Sequence, residues 1–197
     1  MKKILEYLMV LFTISIISGC GFVSQSAEPA ASPAGRAHKV LIAYYSQTGT
    51  TEAAAKEIQK QTGADIYRIK TQLVYPKNAP GMLNQVKQEY VRQIRPELES
   101  TVKKFADYDT VILGFPNWFD DPPMGVFTFL ESQKWHGKTV YPFVTYGLGG
   151  FGSSLADIQK AAPDAALGRG LMLHAGAARK AEQQIAGWLT AIGLADK

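Results

Sequence analysis

Val40-Leu41-Ile42-Ala43-Tyr44-Tyr45-Ser46-Gln47-Thr48-Gly49-Thr50-Thr51 decides the reading of this chain. The apolar run at its start has no polar interruption, as in a strand buried on both faces. It passes straight into a turn of hydroxyls, an amide and a glycine, and an alanine-rich helix follows. Strand, turn and helix N-terminus in that order make an anion cradle. Backbone N–H groups point at the ligand, and the helix dipole favours its negative charge. The turn holds no Lys or Arg, and the first basic residue after it is Lys56. A Walker A loop needs its lysine beside the glycine, so this is not one. A helix whose Ser and Thr only cap backbone donors has the same spelling.

Outward from this stretch the chain alternates. Strands are predicted at 39–45, 65–69, 110–115, 139–145 and 170–174. Helices are predicted at 51–61, 82–93, 123–132, 153–161 and 177–192, the last closed by Gly193. Strand–helix alternation of this kind predicts an α/β fold, a five-stranded, doubly wound parallel sheet with helices on both faces. Strand order 2-1-3-4-5 fits the size, and it puts the ligand crevice between strands one and three. The loops after strands one, three and four then converge.

The loop after strand three, Pro116-Asn117-Trp118-Phe119-Asp120-Asp121, sets two large aromatics side by side in a turn. They can stack on a planar ring or simply cover the sheet end. The loop after strand four runs Thr145-Tyr146-Gly147-Leu148-Gly149-Gly150-Phe151-Gly152. Its glycines bare the backbone for close approach. Gly147, Gly149 and Gly152 also spell a dinucleotide fingerprint, but the fingerprint needs an acid at the next strand end, and that strand ends Leu173-His174.

Together these loops resemble the flavodoxin-like family of small FMN proteins, the flavodoxin_4 type. The likeness is carried by 41–51, 114–131, 142–154 and Trp188-Leu189-Thr190-Ala191-Ile192-Gly193, and spans about 38–194. It implies noncovalent FMN, with the phosphate on Ser46, Gln47, Thr48, Gly49, Thr50 and Thr51. The isoalloxazine would lie against Pro116, Asn117, Trp118 and Phe119. Thr145, Tyr146, Gly147, Gly150, Phe151 and Gly152 would close over it. Three departures stand out. Phe119 occupies a position where the family often has tryptophan, Asp120-Asp121 replace small residues, and His174-Ala175 stand for an arginine-glycine pair. Inward carboxylates would lower the flavin potential; solvated ones would cap the next helix.

The N-terminus reads as an export signal over 1–19, with Lys2 and Lys3 before a short apolar run. Ile17-Ser18-Gly19-Cys20 resembles a bacterial lipobox, which makes Cys20, the sole cysteine, the lipidation site. Residues 20–37, rich in Ala, Ser, Pro and Gly, read as a flexible tether, and 38–197 as the folded domain. One cysteine excludes an internal disulfide and a thiolate metal cage. The chain's net charge of +4 is scattered, which argues against nucleic-acid binding. His38, His136 and His174 show no metal-ligand spacing. His174, at the functional edge, is a proton donor or a satisfied rim residue.

The expectation is a lipid-anchored FMN protein of the bacterial cell envelope, working outside the cytoplasm in electron transfer or flavin-dependent reduction. Its partner would be a redox protein or a small electron acceptor. No side chain is needed as catalytic acid or base, because the flavin carries the chemistry. Two rivals remain: an NAD(P)H:quinone-type oxidoreductase, and a binding module of the same fold that has lost FMN.

Overall fold

The apolar run 40–45 and its two counterparts form the middle of one parallel sheet. The computed structural model describes residues 39–76 and 79–195, so Cys20, the export signal, the tether and His38 lie outside the described residues. The strands are β1 (Val40–Tyr45), β2 (Asp65–Ile69), β3 (Thr110–Pro116) and β4 (Thr139–Tyr146), joined by β5 (Ala166–Leu167) and β6 (Leu171–His174). Their order is β2-β1-β3-β4-β5, with β6 also on β4. All pairs are parallel. This is the expected flavodoxin-like 2-1-3-4-5 sheet.

The fifth position differs from expectation in being two short strands. β5 pairs with the start of β4, at Thr139 and Val140, and β6 with its end, from Phe143 to Tyr146. Gly168 and Gly170 flank the break. A Cβ on Gly168 would lie 2.3 Å from the Tyr141 ring, and one on Gly170 would lie 2.6 Å from the Phe151 ring. Two aromatics thus lie across the backbone where side chains would stand. The Arg169 carbonyl accepts the Trp188 indole N–H at 2.9 Å. β6 alternates, with Leu171 and Leu173 buried and Met172 and His174 exposed, as an edge strand with one covered face should.

Strand alternation divides the core into two layers. Ile42, Ile112, Phe143 and Leu173 face α1 (Thr50–Thr62) and α5 (Glu182–Ala191), meeting Ala54, Ala55, Ile58, Ile185, Trp188 and Leu189. Leu41, Val111, Leu113, Phe115 and Val144 face the other way. They pack with Val86 of α2 (Ala79–Arg92), Phe129 and Leu130 of α3 (Met124–Glu131), and Ile158 of α4 (Ser154–Ala161). Each fully buried Val, Leu, Ile or Phe among them contributes about 1.5–3 kcal/mol. The predicted last helix is also interrupted. A 3₁₀ turn, Ala178–Lys180, precedes α5. Ala178 and Ala181 are both buried and set the start of α5 beside α1. The described residues cluster as one compact unit.

Candidate functional site

The loops after β1, β3 and β4 meet at the C-terminal sheet edge, tied by a few named bonds. In the first, Ser46 is buried and its Oγ accepts the Gly49 N–H at 3.1 Å. Gly49 is the N-cap of α1 at φ +83°, a conformation that favours glycine, and no side chain caps the helix. The first N–H groups of α1 therefore have neither an intrahelical nor a side-chain partner. Gln47 and Thr48 are exposed and Thr50 half-buried, with Thr48 and Thr50 hydroxyls 3.4 Å apart. Thr51 turns inward instead. Its Oγ1 lies 2.7 Å from Thr145 Oγ1, joining the first loop to β4.

The second loop closes through a tight turn in which Trp118 and Asp121 exchange backbone bonds of 2.9 and 3.2 Å. Phe119 at φ +53° and Asp120 at φ +67° occupy its centre. Both central residues of such a turn need positive φ, which strains a bulky residue by about 1–2 kcal/mol. The turn separates the adjacent aromatics. Phe119 is exposed, whereas Trp118 points inward, its ring centroid 5.5 Å from Tyr45 and 5.4 Å from Tyr75 in edge contacts. Trp118 and Phe119, with Met82, Leu83, Val86 and Asn117, line an apolar groove of about 300 Å³. Behind Trp118 lies a polar cluster. The Tyr75 hydroxyl donates to Glu89 Oε2 at 2.8 Å, and burial pushes the Glu89 carboxyl up.

The third loop leans on the second. Asn117 Nδ2 donates to the Gly150 carbonyl at 2.8 Å, and Asn117 Oδ1 accepts the Asp120 N–H at 2.8 Å. A Cβ on Gly152 would lie 2.4 Å from the Asp120 carbonyl oxygen, and one on Gly149 would lie 2.5 Å from Asp120 Oδ1. These two glycines make room for loop two. Gly150 faces Met172 in the same sense, and Phe151 packs 6.3 Å from Phe115. Gly147 is different, because a Cβ there would meet nothing within 4 Å. Pro116 pairs with Thr145, and the Tyr146 ring sits 5.6 Å from His174.

Asp120 and Asp121 do not cap α3, contrary to one of the two expectations for them. Pro122-Pro123 intervene, and Pro123 is the N-cap without a side-chain bond. The pair instead braces the third loop. The Asp120 carbonyl accepts the Ser153 N–H at 2.9 Å, and Asp121 Oδ1 accepts the Ser153 hydroxyl at 3.1 Å. Burial pushes Asp121 from 3.8 up to about 6, against the Ser153 bond and with help from Asp157. Between those values the folded chain holds the extra proton. The resulting stability is full below about pH 3.8 and is lost as pH rises through about 6. We expect a decline on the order of 1 kcal/mol across that window, after allowing for solvent at this half-exposed group. Asp121→Asn should flatten it in urea melts run from pH 4 to 7; an unchanged slope would assign the effect elsewhere.

Two cations beside the first loop have no counterpart in the sequence reading. Arg68 of β2 donates to the Ser46 carbonyl at 2.9 Å and to Glu52 Oε2 at 3.3 Å. Arg179, from the turn after β6, brings Nη2 within 3.6 Å of where a Cβ on Gly49 would stand. The available signal was topological. Every loop leading from a strand to a helix lies at this edge, and Arg179-Lys180 directly precedes a helix that packs beside α1.

Comparison with known proteins gives a consistent set of likenesses. The family model described as flavodoxin matches residues 39–192. A candidate flavoprotein from Bacteroides eggerthii is similar at 33% identity and TM-score 0.70, over 79% of this chain and 98% of its own. A second, from Bacteroides uniformis, is similar at 30% identity and TM-score 0.68, over 79% and 99%. A Lactobacillus acidophilus flavoprotein in complex with FMN shares the fold at 20% identity and TM-score 0.61, over 73% and 98%. These chains consist of little beyond the matched domain, so a chain of this domain alone takes the fold. No curated protein matches.

Proposed function

This chain belongs to the flavodoxin family, and on that footing we propose that it holds one FMN noncovalently across the three loops and passes electrons outside the cytoplasm from a lipid anchor at Cys20. The observation that carries the reading is one juxtaposition. An uncapped helix N-terminus lined with hydroxyls and an aromatic groove stand at the same sheet edge, held there by Thr51–Thr145 and Asn117–Gly150. An anion and a flat apolar ring on one ligand are what such a pair accepts.

Each residue has a mechanical role. The N–H groups opening α1, with the Thr48 and Thr50 hydroxyls, hold a phosphate through neutral donors. Trp118 offers an apolar surface already fixed by Tyr45 and Tyr75, so little ordering cost is left for binding. Asn117 fixes the distance between the second and third loops. Gly147 leaves open space at the third loop, where a ligand can come close to the backbone. Bound FMN supplies the electron chemistry, and the protein sets its access and potential.

Fluorescence titration of the domain, residues 37–197, with FMN and riboflavin tests this reading. FMN should bind more tightly, and Thr48→Ala should weaken FMN about tenfold, near 1.4 kcal/mol, with riboflavin unaffected. Equal affinity for the two flavins would remove the phosphate from the first loop. The anchor is tested apart from the flavin. Full-length protein should fractionate with membranes, and Cys20→Ser should abolish that, since one acyl chain anchors only marginally and a diacyl group holds firmly. Wild-type protein exported with an unmodified, soluble Cys20 would end the lipoprotein reading. NADH or NADPH oxidation by the FMN-loaded domain would move the assignment to a catalytic reductase.

A further inference from the structure

We propose that Arg179 is the charge-reading residue of the phosphate site, selecting a phosphate monoester dianion where the first loop alone offers only neutral donors; this rests on the FMN reading above. Arg179 is separated from that loop by the whole rest of the sheet in sequence. Its place beside Gly49 follows from packing. Ala178 is 2% exposed and Ala181 is 7% exposed, buried with Ile42 and Ala54, so the backbone on both sides of Arg179 is fixed against α1. From that base the guanidinium reaches the N-cap of α1, with Nη2 at 3.6 Å from the Cβ position of Gly49.

Nearby charges make Arg179 distinct. Glu52 puts a carboxylate in the first turn of α1, where it would repel a bound anion. Lys56 answers it at 2.7 Å and Arg68 at 3.3 Å. Lys60 is engaged by Glu57 and Glu182. Arg179 has no carboxylate partner among the described residues and is exposed. Its charge is therefore uncommitted, next to helix N–H groups that also favour an anion. A guanidinium presents two parallel donors to phosphate oxygens, which a lysine ammonium does not. An exposed side chain on a fixed backbone can swing onto a phosphate without moving the loops. Such a contact is electrostatic, so salt should weaken it.

The test compares the domain with Arg179→Gln, Arg179→Lys and the neighbouring control Lys180→Gln, titrated with FMN and with riboflavin at low and high NaCl. Arg179→Gln should lose roughly tenfold in FMN affinity, keep its riboflavin affinity, and show a shallower salt dependence than the parent. Arg179→Lys should recover part of the loss, and Lys180→Gln should behave as the parent. If the parent prefers FMN and Arg179→Gln matches it in affinity and salt dependence, this proposal falls and the FMN reading stands. An equal loss for both flavins would make Arg179 structural and overturn it too. If the parent takes up neither flavin, the FMN reading falls and this proposal with it.

Discussion

Trp118→Ala should weaken FMN by about 2.7 kcal/mol, roughly a hundredfold, and abolish most of the tryptophan quenching that FMN produces. An aromatic face stacked on a planar heterocycle is worth about 1–3 kcal/mol, and a rigid face reaches the upper part of that range. Trp118 is rigid in this sense. Tyr45 and Tyr75 hold its edges, and Asp121 closes the turn on its backbone. Phe119, exposed and in a strained conformation, has a single edge contact, to Tyr90 at 6.0 Å, against the two that hold Trp118. Trp118→Phe should restore part of the affinity, because a smaller ring keeps the stack and loses area. An alanine variant that binds FMN like the parent would place the ring elsewhere.

Trp188→Ala should do the opposite. The fold should lose about 4 kcal/mol in urea denaturation, while FMN affinity of the folded domain stays within about twofold of the parent. Trp188 is 5% exposed, inside the layer of Ile42, Ile185 and Leu189, and its indole N–H is the donor to the Arg169 carbonyl between β5 and β6. Truncation opens a large cavity and orphans that carbonyl together. Trp188→Phe separates the two, and should cost about 1–2 kcal/mol for the lost bond and a poorer fit. A loss of FMN affinity with stability intact would reverse the roles assigned to the two tryptophans.

The parallel sheet was legible because β3 and β4, like β1, are nearly continuous apolar runs, as expected of strands covered on both faces, and the order 2-1-3-4-5 suits a chain of this size. The split of the fifth strand was not. It depends on Tyr141 and Phe151 lying over Gly168 and Gly170, contacts made by residues distant along the chain. The three loops could be located from the switch-point rule alone. The bonds that tie them together could not. Ser46, Thr51, Thr145 and Asn117 read as ligand groups, yet each forms a bond that holds the loops in place. Asp120 and Asp121 look like helix caps until the two prolines after them are seen to carry the chain away. Arg179 reaches Gly49 only through the packing of α5 beside α1, which no local pattern expresses.

The most direct measurement is a titration of the purified domain with FMN, followed by the flavin absorbance spectrum and tryptophan fluorescence together. Saturation is expected at one FMN per chain with a Kd of about 1 µM or tighter, near 8 kcal/mol, with a perturbed flavin spectrum and strong quenching. A domain that is folded yet leaves the FMN spectrum and its own fluorescence unchanged at roughly a hundredfold higher concentration, beyond about 5.5 kcal/mol of binding, would contradict it.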